Sequence, residues 1–229
     1  MRVSAETGRL SAADVRTMFD RIAPVYDVMN RAMTAGLDRG WRRLTARAVV
    51  APGDRVLDVC CGTGDLALAA RDEGGRVTAL DFSPRMLERA RRKSSEVDWV
   101  QGDLLALPFA DGVFDAVTVG FGLRNVTDLD RALSELRRVL RPGGTLGILE
   151  IVRPEGPLQL FFRVWFDGVI PLAGRLLPGG AAYSYLPASV RRFPGPDELG
   201  ERVEQAGFAP PAGRRLGGGI VALLVARAA

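Results

Sequence analysis

The sequence contains no histidine, and its only two cysteines are the adjacent Cys60 and Cys61. The lack of histidine excludes a Ser-His-Asp triad, a histidine general base and histidine ligation of a metal. Two neighbouring cysteines do not have the spacing of a disulfide framework or of a four-ligand zinc site. We therefore expect reduced thiols, no metal and a cytoplasmic location.

The sequence has neither a large excess of one charge nor a long uninterrupted apolar run. The chain has 31 basic and 27 acidic residues, a net charge of +4, which favours no nucleic-acid partner and is compatible with an anionic membrane surface. Residues 1–10 have no apolar core of the kind that a secretory signal needs. The most apolar stretch, residues 158–177, is interrupted by charged residues and by Pro171, so we expect no membrane-spanning segment.

The composition is that of a globular protein, with 229 residues, 47% of them hydrophobic and 25% charged. This length suits one domain with a substantial core. We divide the domain into a helical N-terminal region (residues 1–50), a core of alternating strands and helices (51–152), an insertion that covers the ligand edge of the sheet (153–196), and a C-terminal helix with strands (197–229).

Hydrophobic periodicity predicts an α/β fold. Short apolar runs at residues 55–60, 76–80, 98–101, 113–119 and 145–151 alternate with helical patterns at 65–73, 84–93 and 129–140. This alternation is typical of a doubly wound, mostly parallel sheet. Strands at residues 208–216 and 219–226 are expected to form a C-terminal antiparallel hairpin, which makes seven strands. Helices are also predicted after Ser11, ending near Pro24, and at residues 37–50 and 197–206.

A glycine-rich loop, Gly62-Thr63-Gly64, lies between the first strand and the next helix. Glycines let a ligand approach the backbone closely, and the first turn of a helix has free N–H groups. Asp81 ends the second strand, where a carboxylate can accept hydrogen bonds from both hydroxyls of a ribose. Because this spacing also fits a dinucleotide fingerprint, a nicotinamide-dependent dehydrogenase remains an alternative at this point.

Two further carboxylates distinguish these ligands. Asp58 lies within the strand before the loop, and Asp103 ends the third strand, where an adenine amino group can donate to it. Together with the later Leu107-Pro108-Phe109, Phe114-Asp115 and Pro142-Gly143-Gly144, this ordered series resembles the class I S-adenosylmethionine-dependent methyltransferases over residues 54–150.

The resemblance implies S-adenosylmethionine as the cofactor and S-adenosylhomocysteine as the product. It assigns cofactor contacts to Thr63, Asp81, Asp103 and Leu104. Gly62 and Gly64 would shape the loop, and Asp58 would organise it and face the methionine end of the cofactor.

A narrower resemblance extends over about residues 15–223. Residues 18–30 (MFDRIAPVYDVMN), 121–128 (FGLRNVTD) and 183–194 (YSYLPASVRRFP) are similar to signatures of the ubiquinone/menaquinone C-methyltransferase family. The resemblance implies methyl transfer to a ring carbon of a prenylated quinol, with demethylmenaquinol expected. The benzoquinol of ubiquinone biosynthesis and another aromatic or lipid acceptor are the alternatives. Leu224 stands where some relatives carry a histidine, so a histidine there is not essential to this chain.

Three residues are candidates for the chemistry. We hypothesise that Arg124 and Asn125 stabilise the phenolate that develops on the acceptor, because arginine stays protonated and is a poor base. Asp65, a carboxylate at the start of a helix beside the cofactor, is the third candidate, although it also suits a purely structural role at that helix end.

The prenyl tail of such a substrate needs an apolar path, and residues 158–166 are apolar enough to line one. A water-insoluble substrate also leads us to expect peripheral contact with the inner face of a membrane. A catalytically silent binding protein with the same fold is a further alternative. The sequence does not determine the oligomeric state.

Overall fold

The computed structural model describes residues 11–153 and 180–229. In these residues one sheet contains seven strands. They are β1 (Arg55–Val59), β2 (Arg76–Asp81), β3 (Asp98–Gln101), β4 (Phe114–Gly120), β5 (Leu140–Ile151), β6 (Ala212–Leu216) and β7 (Val221–Arg227). The helices are α1 (Ala12–Ile22), α2 (Tyr26–Thr34), α3 (Leu37–Val49), α4 (Asp65–Asp72), α5 (Pro84–Lys93), α6 (Leu129–Val139), α7 (Gly180–Arg192) and α8 (Pro196–Gln205).

The strand order is β3-β2-β1-β4-β5-β7-β6. Strands β1 to β5 pair in parallel, and β7 runs antiparallel to both β5 and β6. This confirms the predicted α/β fold with its C-terminal hairpin. Because the order reverses between β1 and β4, the carboxyl ends of these strands border a crevice, which is where ligands bind in open α/β sheets.

Two strands begin more than two residues away from their predicted starts. β5 begins at Leu140 rather than at residue 145, because Leu140 pairs with Phe114 ahead of a shift in register. β6 begins at Ala212 rather than at residue 208, after Pro210 and Pro211, which have no N–H to donate to a neighbouring strand.

Helix α1 follows the predicted pattern. The Ser11 side chain accepts a hydrogen bond from the backbone N–H of Asp14, and Val15, Met18 and Ile22 form the buried stripe. Ile22 packs in one cluster with Met86 of α5, which holds the N-terminal region against the sheet domain.

Helix α2 was not predicted. Its N-cap residue is Val25, which makes no side-chain cap, so the usual start signal of a helix is missing from the sequence, and none of its residues is fully buried. Its Met29 and Met33 pack against a small cluster around Val190 of α7. The helix therefore depends on contacts with distant parts of the chain.

Helix α3 lies directly on the sheet. A Cβ at Gly147 in β5 would approach the side chain of Val49 to 2.4 Å, so only glycine allows this separation of helix and strand. Of the insertion predicted at residues 153–196, the apolar residues 158–166 lie outside the described part of the chain. The described end of this insertion includes α7.

Candidate functional site

The loop between β1 and α4 has the backbone conformation that its glycines predicted. Gly62 and Gly64 have φ values of +55° and +86°. A Cβ at Gly64 would come within 2.4 Å of the Trp99 ring, so a larger residue is excluded by contact as well as by conformation. Cys60 also has a positive φ, +52°, which is uncommon outside glycine and is found most often at functional sites.

The Asp81 carboxylate closes this loop against the end of β2. It accepts hydrogen bonds from the backbone N–H groups of Gly62 and Ser83, each at 2.8 Å. Burial raises the pKa of Asp81 to about 6, although these hydrogen bonds act in the opposite direction. Asp81 therefore holds the loop and still presents a carboxylate at the crevice.

A cavity opens at the carboxyl ends of β1, β2 and β4, and we call it the loop cavity. Its lining includes five of the residues selected from the sequence, namely Gly62, Asp81, Asp103, Leu104 and Asn125. Asp103 accepts a hydrogen bond from the backbone N–H of Leu105 at 2.9 Å, which fixes the direction of its carboxylate. Tyr26 and Phe121 also line this cavity.

Asp58 lies outside the lining of the loop cavity and is completely buried in β1. Its Oδ1 accepts a hydrogen bond from the Thr118 hydroxyl at 2.7 Å, whereas Oδ2 has no hydrogen-bond partner among the described residues. Burial raises the pKa of Asp58 to about 7. The backbone N–H of Ala67 in α4 and the charge of Arg42 act in the opposite direction, so Asp58 links β1 to the first turn of α4 behind the loop.

Thr63 and Asp65 belong to a network beside the loop rather than to the cavity lining. The Thr63 hydroxyl donates to Asp27 at 2.5 Å, and Lys93 bridges Asp27 and Asp65 with distances of 2.7 and 2.6 Å. Burial raises the pKa of Asp27, but the hydrogen bonds from Lys93 and Thr63 outweigh it and leave that pKa below its ordinary value. The network joins α2 to α4 and α5.

Arg124 is part of a buried ion pair. Its Nη1 donates to Glu150 Oε1 at 2.6 Å and also to the Phe121 carbonyl, and the two side chains are only 9% and 1% exposed. Two polar atoms here, Arg124 Nε and Asn125 Oδ1, are buried without a partner in the described part of the chain. Such atoms are uncommon in folded proteins, so a bound water or a ligand is expected to satisfy them.

A second cavity, of about 390 Å³, adjoins this pair. We call it the apolar cavity, and its volume lies in the range of small-molecule sites. Its lining includes Met33, Leu37, Trp41, Leu186, Ile220 and Val221, and the charged side chains in it are Asp38, Arg42 and Arg124. Tyr26 and Phe121 line both cavities, so the two spaces share a wall.

Sequence reasoning missed three acidic residues of this region. Glu150 stands in an otherwise apolar strand, and a carboxylate at such a position needs a partner, which was the available signal. Asp38 and Arg42 have the i,i+4 spacing of an exposed helical ion pair, but both are buried. Asp27 lies in the unpredicted helix α2.

The two cysteines are half-buried, and their thiols are poor nucleophiles. Burial raises the pKa of both thiols well above its ordinary value, so Cys60 and Cys61 stay protonated and are poor nucleophiles. In residues 11–153 and 180–229, no three acidic or cysteine side chains come together as a group that could hold a metal ion. The helices of these segments all lack the combination of length and apolar character that crossing a bilayer requires.

Comparison with known structures identifies the fold. A S-adenosylmethionine-dependent methyltransferase from Thermotoga maritima superposes with a TM-score of 0.70 at 20% identity, covering 94% of this chain and 100% of the other. The [4+2]-cyclase SpnF superposes with a TM-score of 0.71 at 22% identity, covering 96% of each chain. Because one of these two proteins is named as a cyclase, the fold by itself does not determine the reaction.

Sequence comparison is more specific. The demethylmenaquinone methyltransferase of Thermus thermophilus is 47% identical over 200 residues, 83% of this chain and 91% of that protein. The enzyme of the same name from Renibacterium salmoninarum is 44% identical over 213 residues, 92% of this chain and 90% of that protein. The 2-phytyl-1,4-naphtoquinone methyltransferase of Trichormus variabilis is 41% identical over 224 residues, 93% of this chain and 97% of that protein.

The model of the ubiE/COQ5 methyltransferase family matches residues 7–227, which is nearly the whole sequence. The match includes the segments at residues 18–30, 121–128 and 183–194 on which the resemblance was based. The dehydrogenase alternative is therefore wrong, and the chain belongs to the ubiE/COQ5 methyltransferase family.

Proposed function

We propose that this protein transfers a methyl group from S-adenosylmethionine to a ring carbon of demethylmenaquinol, giving menaquinol. The observation that carries this proposal is the shared wall of the two cavities. Tyr26 and Phe121 line both the cavity at the strand ends, which contains two carboxylates, and the apolar cavity, which contains Arg124. A cofactor and a lipid-like acceptor bound in these cavities would meet at that wall.

The polar groups of the loop cavity suit those of the cofactor. Asp81 and Asp103 supply carboxylates for the ribose hydroxyls and the adenine amino group, and Leu104 supplies apolar contact. Asp58 is completely buried and lines neither cavity, so we assign it to organising the loop from behind rather than to direct contact with the methionine end. Gly62 and Gly64 give the loop its shape, and Thr63 holds it to α2 through Asp27.

When bound, S-adenosylmethionine supplies the methyl group as a sulfonium electrophile. The protein then has to place the acceptor carbon in line with it and to make that carbon electron-rich. Loss of the neighbouring hydroxyl proton increases the electron density of the carbon. The unpaired Nε–H of Arg124 can donate to the oxygen that becomes a phenolate, because Nη1 is already held by Glu150 and the Phe121 carbonyl.

The protons need a separate acceptor, since arginine remains charged. The Asn125 Oδ1, which is buried without a described partner in the loop cavity, can accept from a water that carries a proton away. Asp65 is a weaker candidate for this role, because Lys93 engages its carboxylate at 2.6 Å and it lines neither cavity. We assign it to positioning the loop.

The named relatives favour a naphthoquinol acceptor over the benzoquinol of ubiquinone biosynthesis. The test uses methyl-labelled S-adenosylmethionine with chemically reduced demethylmenaquinone and, in parallel, with the reduced benzoquinone precursor. We expect label on the ring carbon of the naphthoquinone, and a much slower transfer to the other acceptor. Cofactor binding without transfer to the naphthoquinol would contradict the proposal, and faster transfer to the benzoquinol would reassign the acceptor.

We further propose that a membrane surface is the peripheral partner, and that residues 153–196 cover the acceptor within a single methyltransferase domain. Leu37 lines the apolar cavity and is 56% exposed, and Val28 in α2 is 68% exposed. Arg31 and Arg39 are exposed in the same pair of helices, which suits an anionic surface.

Vesicle flotation at low salt tests the membrane contact. The wild type should float with vesicles that contain an anionic phospholipid, and substitution of Val28 and Leu37 by glutamate should abolish flotation. Glutamate at the exposed Arg47, on the last turn of α3, is the matched control for added negative charge. If the wild type does not float with anionic vesicles, a membrane surface is ruled out as the partner.

A further inference from the structure

A second buried ion pair lies in the apolar cavity and has no part in the mechanism described so far. Arg42 Nη1 donates to Asp38 Oδ2, and the two residues are 7% and 2% exposed. The Arg42 guanidinium also lies over the Phe121 ring, 5.2 Å from its centre. Burying two charges in a mostly apolar space is unfavourable unless they have a use there, since apolar residues of similar volume are often as stable.

The Asp38 carboxylate has an oxygen with unused capacity. The Thr34 hydroxyl lies 3.0 Å from Asp38 Oδ1 but only 2.7 Å from the Asn30 carbonyl. A hydroxyl has one hydrogen, which these two oxygens share, and a carboxylate oxygen can accept two hydrogen bonds, so Oδ1 can accept one more. Thr34, Asp38 and Arg42 all line the apolar cavity, where an acceptor with an O–H group can reach Oδ1.

Both arginines line the apolar cavity and contact Phe121, Arg124 at its carbonyl and Arg42 over its ring. Arg124 is followed directly by Asn125, which lines the loop cavity, whereas Asp38 and Arg42 line only the apolar cavity. A ring with its reacting carbon and neighbouring oxygen at Arg124 can present its opposite oxygen to Asp38.

We propose that Asp38 accepts a hydrogen bond from the ring hydroxyl remote from the methylated carbon, and so selects the hydroquinone form of the acceptor. This inference rests on the proposed function. An ionised carboxylate only accepts hydrogen bonds, so it binds a hydroxyl and repels the carbonyl of the oxidised quinone. Arg42 compensates the buried charge of Asp38 and fixes its orientation against Phe121.

The test compares two acceptors without oxygen present, namely demethylmenaquinol and the analogue in which hydrogen replaces the remote hydroxyl. For the wild type we expect a KM for the analogue that is roughly 10–100 times higher, the usual size of a hydrogen bond to a charged group. Asp38→Asn should reduce this KM ratio to within a few-fold of one. Comparing ratios between variants removes the difference in intrinsic reactivity of the two rings.

Thr45→Val is the matched control, because Thr45 is buried in the same helix and donates to the Trp41 carbonyl without lining either cavity. It should leave the KM ratio at the wild-type value. Thermal stabilisation by S-adenosylhomocysteine shows that each variant is folded. If Asp38→Asn does not fold, the wild-type KM ratio alone tests the inference, and a ratio near one contradicts it.

A wild-type KM ratio near one, or equal loss of the ratio in Asp38→Asn and Thr45→Val, would overturn the inference. Failure of the wild type to methylate demethylmenaquinol at all would overturn the proposed function instead. Equal methylation of both acceptors, with equal KM, would leave the function intact and remove only the role of Asp38.

Discussion

The two cavities differ in how the chain builds them. The loop cavity takes its polar groups from the ends of successive strands, such as Gly62, Asp81 and Asp103, each within a short motif. The apolar cavity takes its charged groups from buried pairs, of which Arg124 and Glu150 lie 26 residues apart in sequence. Local backbone geometry thus determines the first cavity, whereas long-range packing determines the second.

The largest effect should come from breaking a long-range pair of the apolar cavity. Glu150→Ala leaves the Arg124 guanidinium buried without its partner, and we expect the free energy of unfolding to fall by about 3–5 kcal/mol. Urea denaturation measures this. Asp111→Ala, which breaks an exposed pair with Arg138, is the control and should cost at most about 1 kcal/mol. Equal losses would mean that burial does not distinguish the two pairs.

Asp58→Asn tests the buried carboxylate behind the loop through the pH dependence of the free energy of unfolding. The folded-state pKa of Asp58 is raised to about 7 from 3.8, so its contribution to stability is present at low pH and is lost as the pH rises towards 7. The variant cannot ionise there. Between about pH 4 and 7 the wild type should therefore lose up to about 4 kcal/mol of its free energy of unfolding relative to the variant. Parallel pH profiles of the two proteins would contradict this.

Arg124→Ala separates turnover from cofactor binding. Loss of a donor to the developing phenolate should lower kcat roughly 10²–10³-fold, and the affinity for S-adenosylhomocysteine should stay unchanged because Arg124 does not line the loop cavity. Single-turnover kinetics and calorimetry provide the two measurements. Arg47→Ala, at an exposed arginine of α3, is the control. Full turnover in Arg124→Ala would refute the electrostatic role.

Asp81→Asn should weaken cofactor binding more than it lowers turnover. An amide accepts with only one of its two terminal atoms, so one of the hydrogen bonds from Gly62 and Ser83 is lost. We expect the affinity for S-adenosylhomocysteine to fall roughly 10–100-fold, with a smaller change in kcat at saturating cofactor. Asp72→Asn, at the exposed end of α4, should change neither quantity. A change in kcat without a change in cofactor affinity would contradict this prediction.

The same contrast explains what the sequence could reveal. Strand-helix alternation and the glycine loop are local, so the sheet, α4, α5 and the carboxylates of the loop cavity were predictable from short patterns. Helix α2 has no side-chain cap and no fully buried residue, and Arg42 packs over Phe121, which lies almost 80 residues further along the sequence. Contacts of that kind leave little trace in the local pattern of polar and apolar residues.

Phe121 has a consequence for the thermodynamics of binding. It has a φ of +60°, its carbonyl accepts from Arg124, its ring lies under Arg42, and it lines both cavities. An L-residue in this conformation carries about 1–3 kcal/mol of strain that its surroundings must hold. Because the same residue borders both spaces, a ligand contact that shifts it in one cavity also changes the other. Any effect of the cofactor on the affinity for the acceptor is then matched by an equal effect of the acceptor on the affinity for the cofactor, because linkage is reciprocal.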